Sequence, residues 1–356
     1  MSATEPATGS VVRAVPQAPS LAHRLRKMLL GRDAAIIALL VVVWIVATAQ
    51  VPYFGTALTA YNLLLDIFPI LLIALPMTLI VITGEIDLSV ASMMGLSSVV
   101  LGALHQAGWP IVLAMLVALL VGGLGGALNG FLIAGVGLPS LAVTVGTLAL
   151  FRGIAVGLLG TTAITDFPDG WKDIATERLF GQGTAIPGSI LLFLVLAVVF
   201  IIVLHFTPVG RTIYSAGLND EASRFSGIKT ARLKLWLYLV AGLISALAGI
   251  YWTLRYNSAR GDNAAGLELS VIAAVLVGGV SIFGGRGALP GVIAGVLLIG
   301  ALRSALRLAS VSDEVINVMV GVLLIVSVVI PSLLAWFRRI RERRGVRRAA
   351  RSAAAT

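Results

Sequence analysis

The sequence predicts an all-α, polytopic membrane protein with about ten transmembrane helices. Of its 356 residues, 58% are hydrophobic and only 12% are charged, whereas soluble domains carry about a quarter charged residues. The apolar residues fall in continuous runs, many of them close to the roughly 20 residues that a helix needs to cross a bilayer. Strands of a membrane β-barrel would instead alternate apolar and polar side chains over about 10 residues.

Hydropathy orders the predicted spans along the chain, and the third and eighth are short enough that they need not cross fully. The halves 60–160 and 230–335 share a rhythm of long and short apolar runs, which suggests an internal two-fold repeat. The ten spans lie at residues 34–50, 63–83, 88–104, 109–135, 139–159, 187–207, 232–253, 268–283, 288–307 and 314–337.

Positive charge indicates the orientation of the chain. The net charge is +10, and it is concentrated beside the first and last spans, as the positive-inside rule requires, so a nucleic-acid partner is not expected. We expect a disordered cytoplasmic tail (1–33), a transmembrane permease domain (34–337) and a basic cytoplasmic tail (338–356). Loop 208–234 would be cytoplasmic and loop 160–186 periplasmic. Four arginines at the outer edge fit this rule less well: Arg255, Arg260, Arg303 and Arg307.

Several chemistries are not supported. The chain has no cysteine and three histidines, which are scattered, so we expect no disulfide, no metal site and no cofactor. No G-x-x-x-x-G-K-[ST] motif occurs, so any ATP hydrolysis would take place on a separate subunit. The chain itself is therefore not expected to be an enzyme.

The segment Gly84-Glu85-Ile86-Asp87-Leu88-Ser89-Val90 places carboxylates between two apolar runs, where charge is costly inside lipid. The favoured local interpretation is that Asp87 or Ser89 caps the next helix by accepting hydrogen bonds from its free N–H groups. A direct functional role is the less favoured alternative.

The polar loop that follows the sixth span contains the signals of a short helix. Asn219 is a good N-cap, the two acidic residues after it suit the positive helix start, and Gly227 is a good stop. Ala222 and Phe225 would share one face. Local chemistry supports a docking helix and a solvated surface turn equally.

The glycine-rich segment 278–287 superficially resembles a phosphate-binding loop, but it lies between apolar runs with no preceding strand. A tight inter-helical turn is the better prediction. Polar groups in or near spans often line a polar path, although they can equally be interface residues. The candidates for a translocation path are Asp66, Asn129, Thr144, Thr147 and Arg152.

Four stretches, in order over about residues 36–335, resemble the permeases of ribose/xylose/rhamnose-type bacterial ABC sugar importers. Residues 84–92, GEIDLSVAS, look like the family signature GGIDLSVGS. Residues 138–147 resemble a second signature that ends in T-L-G-T. Residues 210–250 resemble the cytoplasmic coupling region, and residues 267–287 resemble the family segment E-L-x-x-I-A-A-V-V-L-G-G-x-S-x-x-G-G-x-G.

This resemblance implies a multi-pass protein of the bacterial inner membrane, with both termini cytoplasmic. Its partners would be a second permease subunit in a homo- or heterodimer, two ATP-binding subunits and an extracytoplasmic sugar-binding protein. The implied signature loop comprises Gly84, Glu85, Asp87, Leu88 and Ser89. The implied ATPase-coupling helix comprises Asn219, Asp220, Glu221, Ala222, Ser223, Arg224, Phe225, Ser226 and Gly227.

The signature departs from the usual pattern because Glu85 and Ala91 replace glycines. Glu85, together with Ala74-Leu75-Pro76, resembles the branch that serves L-rhamnose and autoinducer 2, and Phe151-Arg152-Gly153 leans toward rhamnose. We therefore expect import of a monosaccharide, with L-rhamnose first. The alternatives are a permease for autoinducer 2, ribose, another sugar or branched-chain amino acids, and, less favoured, a secondary transporter.

Overall fold

The computed structural model describes residues 32–181, 183–327, 329 and 333. The C-terminal tail 338–356 and residues 1–31 of the predicted N-terminal tail lie outside them. The helices are α1 (Arg32–Gln50), α2 (Ala57–Ile82), α3 (Val90–Gln106), α4 (Ile111–Gly130), α5 (Ser140–Leu159), α6 (Asp169–Thr176), α7 (Ile190–Phe206), α8 (Pro208–Leu218), α9 (Asp220–Phe225), α10 (Thr230–Tyr256), α11 (Leu267–Val277), α12 (Leu289–Leu308) and α13 (313–327).

The predicted all-α fold is confirmed. Within the part of the chain that the structure describes, extended pairing is limited to two isolated bridges, Ile164 with Ala259 and Arg178 with Pro187. A helix occupies each of the ten predicted span positions. By length and composition, five helices could cross a membrane: α2, α4 with its π-helical extension Phe131–Gly135, α5, α10 and α12.

The remaining apolar helices make the number of membrane-spanning helices ambiguous. Helices α7 and α8 together could make a sixth span, but they are bent by 68° at the break between them. Pro208 begins α8, where its fixed φ and missing N–H are tolerated. The apolar helices α3 and α11 are short, as predicted for the third and eighth spans. The separate helix α8 was not predicted.

Close helix packing depends on glycine. Gly122, Gly126 and Gly130 face α10, and a Cβ on Gly126 would lie 2.3 Å from the carbonyl oxygen of Tyr238. This contact confirms the helix-packing interpretation of the four-residue spacing in α4. Gly153 and Gly157 on α5 differ, because no atom of the described chain lies within 4 Å of a Cβ built on either residue.

The two halves of the bundle run in opposite directions. Helix α2 ends beside the start of α10, where Lys234 reaches Glu85. The far end of α10 packs near the start of α2, where the Tyr251 hydroxyl donates to the carbonyl oxygen of Leu65 at 3.2 Å. Both halves, α2–α5 and α10–α13, have a long first helix followed by a short one. This order supports the predicted repeat, in the inverted form that is common in transporters.

The bundle therefore has two distinct ends. We call one the 84–89 end, after the signature loop, and the other the 257–266 end, after the loop between α10 and α11. Loop 160–186 lies at the 257–266 end, because Ile164 pairs with Ala259 and the amide of Phe167 donates to Asn257 Oδ1 at 3.1 Å.

Candidate functional site

Three sequence motifs meet at the 84–89 end. The Gly285 amide donates to the carbonyl oxygen of Ile82 at 2.8 Å, and the Tyr214 hydroxyl donates to the carbonyl oxygen of Gly287 at 2.7 Å. Gly217 packs so closely that a Cβ there would lie 1.8 Å from the Ile82 oxygen. The signature loop, the end of α8 and the glycine-rich turn are thus one contiguous structure.

The glycine-rich segment is the tight turn that was predicted. Gly279, Gly284 and Gly285 have φ values of 93°, 79° and 70°, a region that glycine enters without steric cost. Gly284 lies against Gly84, since a Cβ on Gly284 would be 3.0 Å from the Gly84 nitrogen. The backbone of one turn therefore contacts that of the other.

A buried lysine joins the signature loop to α9. Lys234 Nζ lies 2.6 Å from Glu85 Oε1 and 3.3 Å from Asp220 Oδ2. Its side chain is 8% exposed. Arg224 adds a second contact to Asp220 at 2.9 Å. Burial alone would raise the pKa of Asp220, but a hydrogen bond from Thr230 and these positive charges outweigh it, so its pKa lies below the usual value.

The signature loop is closed on itself. Of the two predicted caps of α3, Ser89 is wrong, while Asp87 accepts a hydrogen bond from the backbone amide of the residue just before the helix. Asp87 Oδ1 accepts hydrogen bonds from the Ser89 amide at 2.9 Å and the Ser89 hydroxyl at 2.6 Å. Ser89 occupies the N-cap position of α3 but makes no side-chain capping bond. Its hydroxyl donates to Asp87, and its oxygen accepts from Asn129. Burial raises the pKa of Asp87 to about 6, although both hydrogen bonds from Ser89 lower it. Leu88 packs against the core.

Helices α4, α5 and α10 hold this loop in place. The Ile86 amide donates to Ser140 Oγ, and its carbonyl oxygen accepts from Thr144 and Tyr238, each at 3.3 Å. Asn129 donates to the Ser89 hydroxyl at 2.8 Å. Thr144 and Asn129 were candidates for the translocation path, and the structure places both in the support of the loop.

Helix α9 has the predicted caps. Asn219 Oδ1 accepts from the Ala222 amide at 2.9 Å, and Gly227 takes a φ of 84° after the helix ends. Phe225 is 86% exposed, and Glu221 and Ala222 are also exposed. The helix is therefore fixed at its start while it presents an apolar side chain outward.

Two other path candidates have structural contacts. Thr147 donates to the carbonyl oxygen of Val143 on its own helix at 3.1 Å. Arg152 donates to the carbonyl oxygens of Gly261 and Asn263, at 2.9 and 2.6 Å, and so fastens α5 to the 257–266 loop.

A cavity of about 1210 Å³, lined by both apolar and charged side chains, lies at the 257–266 end, between α2, α10, α11, α12 and α13. Asp66 is the path candidate that lines it; its carboxylate pairs with Arg255. The arginines that fitted the positive-inside rule less well therefore surround or line this cavity. Its charged lining residues are Asp66, Arg260, Asp262, Arg303, Arg307 and Asp313.

Sequence reasoning missed Lys234 and Tyr238 as residues that bind the signature loop. A signal was present for Lys234, since a lysine near the start of an apolar span is costly in lipid unless it is paired. Its partner could not be identified because Glu85 lies 149 positions away.

Apolar helices of spanning length, opposed halves, a cavity at one end and a capped, exposed helix at the other define a polytopic membrane protein. The chain belongs to the family described as "Branched-chain amino acid transport system / permease component", whose model matches residues 59–328. It is thus a permease, the membrane component of a transport system.

Relatives extend this assignment over most of the chain. The "Autoinducer 2 import system permease protein LsrD" of Photorhabdus laumondii is 34% identical over 325 residues, covering 88% of this chain and 94% of the relative. The protein of that name from Escherichia coli O157:H7 is 37% identical over 283 residues, covering 78% and 84% respectively. No solved structure matches the chain.

Proposed function

We propose that this chain is the transmembrane subunit of an ATP-binding-cassette importer for a small sugar-like molecule, and that α9 is the helix through which a separate ATPase drives it. One observation carries the proposal. Phe225 is 86% exposed on a capped helix, and the first residue of that helix is ion-paired through Lys234 to the signature loop.

The proposed orientation puts the 84–89 end in the cytoplasm and the cavity on the outer side. The excess of Lys and Arg in loop 208–234 supports this orientation. Two ATP-binding subunits would then dock at α9, and an extracytoplasmic binding protein would deliver the ligand to the cavity. The open faces of Gly153 and Gly157 on α5 suit the close approach of a second permease.

Autoinducer 2 is the proposed ligand, ahead of L-rhamnose. The named relatives are autoinducer 2 permeases. The segment that favoured rhamnose is Phe151-Arg152-Gly153. A segment that selects the ligand should face the cavity, and this one does not. Phe151 is buried in a hydrophobic cluster and Arg152 binds two backbone carbonyls. Neither residue lines the cavity.

The test is uptake of labelled autoinducer 2, L-rhamnose and ribose by cells that express the permease with its cognate ATPase and binding protein. We expect Phe225→Asp to abolish uptake and to weaken copurification of the ATPase. Phe180→Asp is the matched control for copurification, since Phe180 is 84% exposed at the opposite end.

Each result has a distinct meaning. Uptake of rhamnose but not autoinducer 2 would overturn the ligand and leave the importer class intact. Uptake that continues without any ATPase would overturn the importer class and indicate a secondary transporter. Normal ATPase copurification with Phe225→Asp would show that α9 is not the docking helix.

A further inference from the structure

Arg303 on α12 is one of the charged residues that line the cavity. Its Nη2 donates to Ser270 Oγ at 3.0 Å and to Asn317 Oδ1 at 3.3 Å. Its Nε is buried and has no hydrogen-bond partner among the described residues. A buried donor without an acceptor costs about 1–3 kcal/mol, and more when the group is charged.

The neighbouring arginines are different, because each has a carboxylate. Arg260 lies 2.9 Å from Asp262, and Arg307 lies 3.0 Å from Asp313. Arg255 pairs with Asp66. Within the described part of the chain, Arg303 has no ion pair of this kind, so its charge is available to a molecule that enters the cavity.

The cavity lining indicates the kind of molecule. Three guanidinium groups and three carboxylates line it, so the lining has no formal excess of either charge. Side-chain amides and hydroxyls add further donors and acceptors. Trp252 and Tyr256, whose rings lie 4.7 Å apart, supply an aromatic surface. Aliphatic side chains from α2, α12 and α13 form much of the rest of the lining. Apolar walls with a few placed polar groups and balanced charge suit a small neutral ligand that carries hydroxyl groups better than an ion.

We propose that this cavity binds a neutral, monosaccharide-sized polyhydroxylated ligand and that the Arg303 guanidinium, through its part that lines the cavity, donates a hydrogen bond to one of the ligand's oxygens. The inference deepens the proposed function, on which it rests for the assignment of the cavity to the import path. A volume of about 1210 Å³ leaves room for the ligand and its remaining water. Arg303 is then a specificity-determining residue of the permease itself.

The absence of cysteine from the chain allows a test that does not require ATP hydrolysis. Ser304 lines the cavity next to Arg303, so Ser304→Cys provides a single thiol there. The rate at which a small thiol reagent modifies this cysteine is measured in the assembled transporter in nanodiscs. Autoinducer 2, L-rhamnose and D-ribose are added in turn at high-millimolar concentration, and leucine is the non-sugar control.

We expect at least one of the three sugars, but not leucine, to slow the modification. Adding Arg303→Gln should weaken this protection by about 10-fold or more, as expected for loss of a hydrogen bond to a charged donor. Arg307→Gln is the matched control, because Arg307 lies one turn further along α12 and is already paired. Arg307→Gln should change the protection by less than about threefold, because an exposed ion pair contributes little free energy.

Three results would overturn the proposal: no protection by any sugar, protection by leucine instead, or sugar protection that Arg303→Gln leaves unchanged. These outcomes are separable from a failure of the proposed function. Loss of ATPase docking at α9 would abolish uptake but would leave protection of the cysteine intact.

Discussion

Glu85 and Lys234 form a 2.6 Å ion pair between positions that are 149 residues apart. The same ammonium group contacts Asp220, the first residue of α9. Removing one partner of a buried ion pair leaves an uncompensated charge and costs about 3–5 kcal/mol. A force on α9 should therefore move the signature loop with it rather than break these contacts.

The first prediction follows from this connection. Lys234→Met should reduce uptake at least about 10-fold, since 1.4 kcal/mol of lost coupling already corresponds to that factor. Under the proposed function, ATP hydrolysis by the bound ATPase should continue, because this substitution leaves the exposed face of α9 unchanged. The measurement is the number of ATP molecules hydrolysed per molecule imported, and we expect this ratio to rise.

The matched control is the exposed pair of Lys172 and Asp169, which are 2.5 Å apart at the 257–266 end. Lys172→Met should leave the ratio unchanged, because exposed ion pairs contribute little. If Lys234→Met lowered uptake and ATP hydrolysis equally, the lysine would support folding or docking and would not transmit motion.

The second prediction concerns the start of α9. Asn219→Ala removes the oxygen that accepts from the Ala222 amide, and loss of such a cap typically costs about 1 kcal/mol. A helix of six residues has little other internal support. We expect faster amide hydrogen exchange in residues 220–225 and about fivefold weaker binding of the ATPase, the factor that 1 kcal/mol corresponds to.

Asn219→Ser separates the cap from other roles of the asparagine, since a serine oxygen can accept the same bond. It should restore both exchange protection and ATPase binding. If Asn219→Ser behaved like Asn219→Ala, the asparagine would act through direct contact with the partner.

The sequence predicted the parts of this fold that depend on local chemistry. Continuous apolar runs located every long helix, and the caps of α9 were correctly assigned from Asn219 and Gly227. Helix capping and hydrophobic length are decided by residues within a few positions of each other. For the same reason the tight turn at residues 278–287 could be predicted from its glycines.

The features that local chemistry could not decide depend on distant contacts. Asp87 or Ser89 was predicted to cap α3, and Ser89 does not, because its oxygen accepts from Asn129, 40 positions away. Asn129 and Thr144 were considered for the path, and whether they support a loop or face a cavity depends on how α4 and α5 pack. The inward position of Arg303 likewise follows from tertiary packing and could not be inferred from its place beside a span.

The third prediction tests the packing of α4 on α10. Gly126→Ala would place a methyl group 2.3 Å from the Tyr238 carbonyl oxygen, so the helices must separate. We expect it to destabilise the protein by about 1–3 kcal/mol, the usual cost of overpacking. Thermal unfolding in detergent measures the effect.

Gly153→Ala is the matched control for that experiment. A Cβ on Gly153 meets no atom of the described chain within 4 Å, and alanine is favoured over glycine in a helix by about 1 kcal/mol. The isolated permease should therefore be unchanged or slightly more stable. If both variants lost stability equally, backbone flexibility and not close packing would be the function of the glycines.

The last prediction uses Asp87, whose pKa burial raises from 3.8 to about 6. A raised pKa means that the folded protein disfavours the charged carboxylate. The penalty is absent below the unfolded value, grows as the pH rises from about 4 to 6, and is constant above that. This difference between the folded and unfolded pKa of Asp87 corresponds to about 3 kcal/mol.

Asp87→Asn retains an oxygen that can accept both hydrogen bonds from Ser89 and carries no charge. The variant should therefore match the wild type in Tm near pH 4 and exceed it above pH 6, with the gap widening only between those values. Thermal unfolding of both proteins in the same detergent across this range gives the difference directly, and other titrating groups cancel. A gap that does not depend on pH would show that Asp87 has an ordinary pKa. A variant that is less stable above pH 6 would show that the signature loop requires the negative charge.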